Sequence, residues 1–162
     1  MKRIVIGVMG PGPSATDVDL KNALQLGRLI AGKGWVLLTG GMNLGVMDSA
    51  SRGAREEGGL VVGVLPSADD GGASDAVDIA IVTGMGSARN NINVLSSHVV
   101  IACGMGPGTA SEVALAVKAG KKVVLLNDME ESKIFFLKLS PHEVIIAENP
   151  DHAVSIVEGL LA

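Results

Sequence analysis

Residues with the means to bind an anion are concentrated in two glycine-rich turns of this 162-residue chain. One turn, residues 104–109 (GMGPGT), follows the apolar run from Val99 to Cys103. The other, residues 83–87, follows a short apolar run at 79–82 and leads to Arg89. Glycines let backbone amides approach a ligand closely, and the first amides of a following helix have no partner within that helix. Together with the helix dipole, such amides favour a bound anion.

Polar side chains around the two turns supply further contacts. Arg89 is the single cation near them. The neutral hydrogen-bonding groups are Ser87, Asn90, Asn91 and Thr109. Glu112 lies three residues after Thr109, so it could complete a capping box with Thr109 as N-cap. It could instead face the bound anion as a general acid or base, and the sequence leaves both interpretations open.

The chain alternates apolar runs typical of buried strands with segments of helical periodicity. This order predicts an α/β fold with a single doubly wound parallel sheet, Rossmann-like, and helices on both faces. Residues 1–162 have the length of one domain, and Asp17 is predicted to cap the first helix. The predicted strands cover residues 4–9, 35–39, 60–66, 79–82, 99–103, 122–126 and 144–146, and the helices begin near residues 17, 43, 87, 109, 132 and 150.

Ligands of such sheets bind outside the carboxyl ends of the strands, where the strand order reverses. Glycine turns follow the predicted strand ends at residues 9, 39, 83 and 103. We therefore expect one crevice to collect these turns and to hold an anion through backbone amides. The residues predicted to form this cradle are Gly10, Pro11, Gly12, Pro13, Gly40, Gly41, Met42, Asn43, Ser87, Arg89, Asn90, Gly106, Pro107, Gly108 and Thr109.

The composition argues against several other classes of function. Thirteen basic and 17 acidic residues give a formal net charge of −4, and the chain has one Trp, two Phe and no Tyr. Nucleic acid is therefore not an expected partner, because basic patches and stacking platforms are both missing. The single Cys103 rules out an internal disulfide, and three scattered histidines do not indicate a metal site. The glycine patterns of dinucleotide-binding proteins and of P-loop hydrolases are also missing.

Two further expectations concern location and assembly. The apolar run near the start of the chain is too short for a signal peptide or a membrane span, so we expect a cytoplasmic protein. The predicted helix from Thr109 to Ala119 has almost no polar face, because Ala110 and the run from Val113 to Val117 are apolar. Such a helix needs cover on more than one side, which predicts a partner subunit.

The segment 104–112 (GMGPGTASE) resembles the PGGxGTxxE signature of the LONELY GUY family. Enzymes of that family release ribose 5-phosphate from cytokinin nucleoside 5′-monophosphates. The resemblance implies that Glu112 and Arg89 would be catalytic. This sequence departs from the family pattern at two places. The dipeptide 104–105 replaces the opening Pro-Gly, and Asn90 replaces the lysine that usually follows the arginine.

A second resemblance, to the molybdenum cofactor carrier proteins, extends along nearly the whole chain. It is carried by residues 6–12, 34–41, 44–47, 63–66, 74–79, 86–93 and 104–109. This resemblance implies a Rossmann-like homotetramer that binds the pterin cofactor, molybdopterin with its molybdenum, by its phosphate and molybdenum-oxo ends. Such a protein shields its cargo from oxidation until a molybdoenzyme apoprotein or an insertase takes it.

Three hypotheses for the site follow. We favour a carrier and storage protein for the molybdenum cofactor that has no catalytic residue and supplies no metal ligand. A carrier must release its cargo, and neutral donors with one arginine bind an anion with only moderate affinity. The alternative is a nucleoside 5′-monophosphate phosphoribohydrolase that uses Arg89 and Glu112. A nucleotide-sensing regulatory module would use the same turns without turnover.

Overall fold

A computed structural model describes residues 2–126 and 129–162. Within these residues, helices connect successive parallel strands except between β3 and β4, so the predicted α/β fold class is confirmed. The strands are β1 (Val5–Met9), β2 (Val36–Thr39), β3 (Val61–Leu65), β4 (Ile79–Val82), β5 (Val99–Cys103), β6 (Val123–Leu126) and β7 (Val144–Ile146). The helices are α1 (Asp17–Gly32), α2 (Gly45–Glu56), α3 (Asn90–Ser96), α4 (Pro107–Lys118), α5 (Glu130–Leu139) and α6 (Pro150–Leu161).

The strand order of the sheet is β4-β3-β2-β1-β5-β6-β7. The chain first builds outward from β1 through β2 to the edge strand β4, then returns to the other side of β1 and continues from β5 to β7. The order therefore reverses between β1 and β5, where Met9 pairs with Ala102. A crevice opens at such a reversal, because the connections that leave the two strands diverge to opposite sides.

Two hydrophobic clusters cover the two faces of the sheet. One includes Leu26 of α1, Ala50 of α2 and Val157 of α6, and the other includes Val94 of α3 and Val113 of α4. On the first face α1 and α2 touch almost backbone to backbone. A Cβ on Gly27 would lie 2.0 Å from the carbonyl oxygen of Ala50, so only glycine permits this helix contact.

Four helices begin two or three residues away from their predicted starts: α2 begins at Gly45, α3 at Asn90, α4 at Pro107 and α5 at Glu130. The N-cap of α1 is Thr16 and not Asp17, because the Thr16 hydroxyl accepts a hydrogen bond from the amide of Asp19 and the Asp19 carboxylate accepts one from the amide of Thr16. The predicted helix from Ser87 is divided into a 3-10 turn over Gly86–Arg89 and α3.

Length and apolar character decide whether a helix can span a membrane. None of the helices of the described residues could cross one.

Candidate functional site

A cavity of about 300 Å³ lies at the carboxyl ends of β1 and β5, at the reversal of the strand order. The connections that leave β1, β2 and β5 form its walls, together with the start of α3. The lining residues are Met9, Gly10, Pro11, Gly12, Pro13, Ser14, Gly40, Met47, Arg89, Asn90, Gly106, Pro107, Gly108, Thr109 and Glu112.

The first turn of α4 forms one wall, and its amides are not capped by a side chain of any described residue. Gly106 is the N-cap and Pro107 occupies the first helical position, where its missing N–H costs no hydrogen bond. Thr109 is 2% exposed, and its hydroxyl lacks a hydrogen-bond partner within the described part of the chain. Open amides and a buried free hydroxyl on one helix end provide donors for an anion.

The loop after β1 forms the opposite wall, and close backbone contacts hold it in place. A Cβ on Gly10 would lie 2.3 Å from the carbonyl oxygen of Cys103. Gly45 has φ +52° and sits against the same loop, where a Cβ would lie 2.2 Å from the carbonyl oxygen of Gly12. The amide of Val46 donates to the carbonyl of Pro11 at 3.0 Å. Glycine is thus required at positions 10 and 45 for this wall to pack onto β5 and α2.

Arg89 reaches the cavity from the 3-10 turn, and its side chain is 11% exposed. Its guanidinium donates to the side-chain oxygen of Asn90 and lies 3.4 Å from the carbonyl oxygen of Gly40. The Nε atom has no partner among the residues the structure describes. Burial lowers the pKa of Arg89, and the Glu112 carboxylate opposes that shift. A cation with an unused donor is thereby held beside the open turn of α4.

Glu112 faces the same cavity from the second turn of α4, with its side chain 7% exposed. Its Oε1 accepts a hydrogen bond from Asn93 Nδ2 at 2.9 Å and lies 3.9 Å from Arg89 Nη1. Burial raises the pKa of Glu112 to about 7, while the Asn93 hydrogen bond and the Arg89 charge oppose the shift. The proposed capping box of Thr109 with Glu112 is wrong, because α4 begins at Pro107 and both residues lie inside it.

The structure brings most of the predicted cradle together, but four of its members lie elsewhere. Ser87 is exposed and lines a separate groove between α3 and α4. Gly41, Met42 and Asn43 do not line the cavity. The Gly41 amide donates to Thr39 Oγ1, and the Asn43 amide donates to the carbonyl of Gly72. The Asn43 bond holds the loop after β2 against the loop after β3, and the Gly41 bond closes back onto β2.

Sequence reasoning missed several residues of the site. Met9, Ser14 and Met47 line the cavity, and Asn93 positions Glu112. The spacing of Asn93 could have revealed it, because it follows Arg89 by four residues and such residues share a helix face. No comparable signal marks Met47, since methionine at the start of a helix usually packs into a core.

The described residues offer little for metal binding or redox chemistry. No three of their His, Cys, Asp and Glu side chains lie close enough to hold a metal ion. Burial raises the pKa of the Cys103 thiol, which lies 3.5 Å from the carbonyl oxygen of Asp19 as a neutral donor. The chemistry available to the cavity is therefore anion binding and, through Glu112, the exchange of a proton.

Two solved structures match this chain along nearly its full length. The solved molybdenum cofactor binding protein from the phototrophic bacterium Rippkaea orientalis is 59% identical, with a TM-score of 0.99, and the match covers 100% of this chain and 99% of that one. The Moco carrier protein from Chlamydomonas reinhardtii is 53% identical, with a TM-score of 0.94 and coverage of 99% and 98%. The resemblance to carrier proteins predicted from the sequence is confirmed.

Two further matches extend the comparison. An uncharacterized protein from Archaeoglobus fulgidus is 47% identical over 126 residues, which are 78% of this chain and 82% of that protein. The model of the SLOG cluster4 family matches residues 3–154. Because that match spans nearly the whole chain, this protein belongs to the SLOG cluster4 family.

Proposed function

We propose that this protein binds the molybdenum cofactor and carries or stores it for transfer to apoenzymes, without chemistry of its own. The observation that carries the proposal is the open first turn of α4. Its amides are not capped by any described side chain, and the Thr109 hydroxyl beside them is buried without a partner there. A buried hydroxyl normally has a hydrogen-bond partner, so the unpartnered Thr109 hydroxyl at the cavity indicates a ligand that satisfies it.

The chemistry of the cargo fits the donors that the cavity offers. A phosphate ester would accept hydrogen bonds from the amides of Gly108 and Thr109 and from Arg89. The flat pterin would lie against the loop from Gly10 to Pro13 and the thioether of Met47, which line the opposite side. A molybdenum centre arrives already coordinated by its pterin, so the protein needs to supply hydrogen bonds and no metal ligand.

Release of the cargo also fits this donor set. Arg89 is the single cation of the cavity lining, and the carboxylate of Glu112 lies beside it. A dense cluster of arginines and lysines would hold a multiply charged guest much more tightly. The similarity to proteins described as a Moco binding protein and a Moco carrier protein supports the same function.

Anaerobic gel filtration with the cofactor tests the proposal. The protein is mixed with molybdenum cofactor released from a molybdoenzyme, and the protein peak is assayed for pterin and molybdenum. Wild type is expected to retain both, whereas R89Q loses them because it lacks the cation of the cavity. The matched control K33Q removes a surface cation paired with Glu158 and should retain the cofactor. Failure of wild type to retain pterin would refute the proposal.

We also propose that the protein is a homo-oligomer, with a tetramer as the expected form. The edge strand β4 exposes apolar side chains, with Ile79 at 48%, Ile81 at 42% and Val82 at 45%. The nearby groove between α3 and α4 adds Leu95, which is 54% exposed, and Leu115. A second copy carries the same surface, so two copies can cover it symmetrically. Sedimentation of wild type as a monomer would refute this, and L95E should weaken the assembly.

The remaining parts of the proposal concern partners and location. The acceptors would be molybdoenzyme apoproteins or an insertase that bind the loaded carrier transiently. A cytoplasmic location suits a carrier whose lone Cys103 is buried as a thiol. Capture of a molybdoenzyme apoprotein by the loaded protein, and not by the empty one, would support the transfer role.

A further inference from the structure

The floor of the cavity is a buried pair of opposite charges. The side chains of Arg89 and Glu112 are 11% and 7% exposed, and Nη1 of the one lies 3.9 Å from Oε1 of the other. Asn93 from α3 donates to the same Oε1 at 2.9 Å and holds the carboxyl in place. At 3.9 Å the pair lacks a direct hydrogen bond, so its attraction is through charge alone.

Apart from Arg89, the groups that line the cavity around Glu112 are neutral. The 3-10 turn presents Arg89, α3 presents Asn93, and α4 itself presents Thr109 one turn earlier. The loop after β1 and the residues Met9, Gly40 and Met47 complete the lining without a charge. Among the described lining residues, Arg89 and Glu112 are thus the two that carry charge, and they determine the charge that a guest meets.

The protonation state of Glu112 changes that charge by one unit. When the carboxyl is ionised, it cancels Arg89, and an anion enters a cavity with no net charge. When it is protonated, the positive charge of Arg89 is unopposed and attracts the anion. Since burial raises the pKa of Glu112 to about 7, both states are populated near neutral pH.

We propose that an anion entering this cavity increases the protonation of Glu112 by proton uptake from solvent, so that this carboxyl adjusts the charge of the site to the charge of its guest. The bound negative charge lies near the carboxylate and disfavours its ionised form. By linkage, a site that takes up a proton on binding holds its guest more tightly as the pH falls. The inference rests on the proposed function for its anion, and it adds a release mechanism: a rise in pH loosens the cargo.

Inorganic sulfate is a suitable probe, because it keeps the same charge between pH 5.5 and pH 8.5. Its affinity is measured from the amide NMR shifts of Gly108 and Thr109 as sulfate is added. Wild type should lose affinity by about tenfold from pH 6 to pH 8.5. E112Q, neutral at every pH, should bind at all pH values within about twofold of wild type at pH 6. E131Q, which changes an exposed carboxylate on α5, should keep the wild-type pH dependence.

The carboxyl carbon of Glu112 gives a second readout that needs no variant. Its ¹³C shift is followed against pH with and without sulfate, and sulfate is expected to move the midpoint upward. An unmoved midpoint, a flat affinity in wild type, an equal slope in E112Q or no sulfate binding would each overturn the inference. If those tests succeed while the cofactor fails to co-elute, the carrier function is refuted and the proton uptake stands.

Discussion

Two helices of this protein begin with proline after a strand and a short turn, but only one of them closes its own first turn. In α6 the N-cap is Asn149, whose side-chain oxygen accepts from the amide of His152 at 2.8 Å. In α4 the N-cap is Gly106, which has no side chain to do the same for the equivalent amide of Thr109. The difference separates a helix end that serves the fold from one left free for a ligand.

The backbone does not require glycine at the start of α4. Gly106 has φ −153°, an extended conformation that any residue adopts. A Cβ there would lie 3.4 Å from Pro11 Cβ, which is an ordinary contact. Gly106 therefore leaves the first-turn amides of α4 accessible, because it has no side chain. A polar side chain at this position would occupy the place of the anion. Four variants test this difference between α4 and α6.

The variant G106D should give α4 the type of cap that α6 already has. Its carboxylate would accept from the amide of Thr109 and repel an incoming phosphate, so binding of a pterin phosphate ester should weaken by about 100-fold or more. Stability should stay equal or rise by a few tenths of a kcal/mol. Fluorescence titration and thermal unfolding measure the two effects. The matched control G106A leaves the amides open and should bind within about threefold of wild type.

The variant E112Q tests the buried carboxyl of α4, where the equivalent position of α6 is the exposed Ser155. The pKa of Glu112 is raised from 4.5 to about 7 in the folded protein. Between these values the folded state keeps a proton that the unfolded state has lost, so the free energy of unfolding falls as pH rises. Relative to wild type, E112Q should therefore gain on the order of 3 kcal/mol between pH 4.5 and pH 8. Urea unfolding at both pH values measures it, and a constant difference would contradict the burial argument.

The variant N149A should make α6 resemble α4 without giving it a function. Loss of the cap leaves the His152 amide unsatisfied and should cost about 1 kcal/mol of folding free energy. Cofactor binding should be unchanged, because α6 starts outside the cavity. Urea unfolding together with the fluorescence titration checks both parts. A loss of binding in this variant would mean that fold stability, and not the open turn of α4, governs binding.

The variant T109V removes the buried hydroxyl that has no partner among the described residues. Binding of the pterin phosphate ester should weaken by about fivefold, which corresponds to one hydrogen bond, while stability is retained. The control T83V removes a hydroxyl that already donates to the carbonyl of Leu65 at 2.7 Å. It should lose stability and keep its binding. The opposite assignment of effects would show that the Thr109 hydroxyl serves the fold.

Much of this architecture could be predicted from local patterns. The run from Val99 to Cys103 is apolar throughout because β5 is buried on both faces, and the turn after it contains the glycines that a strand-to-helix connection requires. Arg89 follows a glycine turn at a strand end, and this pattern predicts its place at the site. These features are encoded within a few neighbouring residues, and a sequence pattern reports them directly.

The sequence predictions are wrong where two local patterns compete, or where residues distant in the chain determine which hydrogen bonds form. Thr109 and Glu112 have capping-box spacing, but Pro107 starts α4 two residues before Thr109 and places both inside the helix. The loop after β2 was predicted to offer its amides to a ligand. The Asn43 amide instead pairs with Gly72, a contact across 29 residues that no local pattern reveals. The spacing of Asn93 from Arg89 is a local signal, but its hydrogen bond to Glu112 depends on the packing of α3 on α4.

A crystal structure of the protein with a bound pterin phosphate ester would test the central claim most directly. We expect the phosphate oxygens within hydrogen-bond distance of the Gly108 and Thr109 amides, with the Thr109 hydroxyl and Arg89 as further donors. The first turn of α6, closed by Asn149, should hold no ligand. A phosphate bound away from α4, with the α4 amides bonded to water alone, would contradict the account.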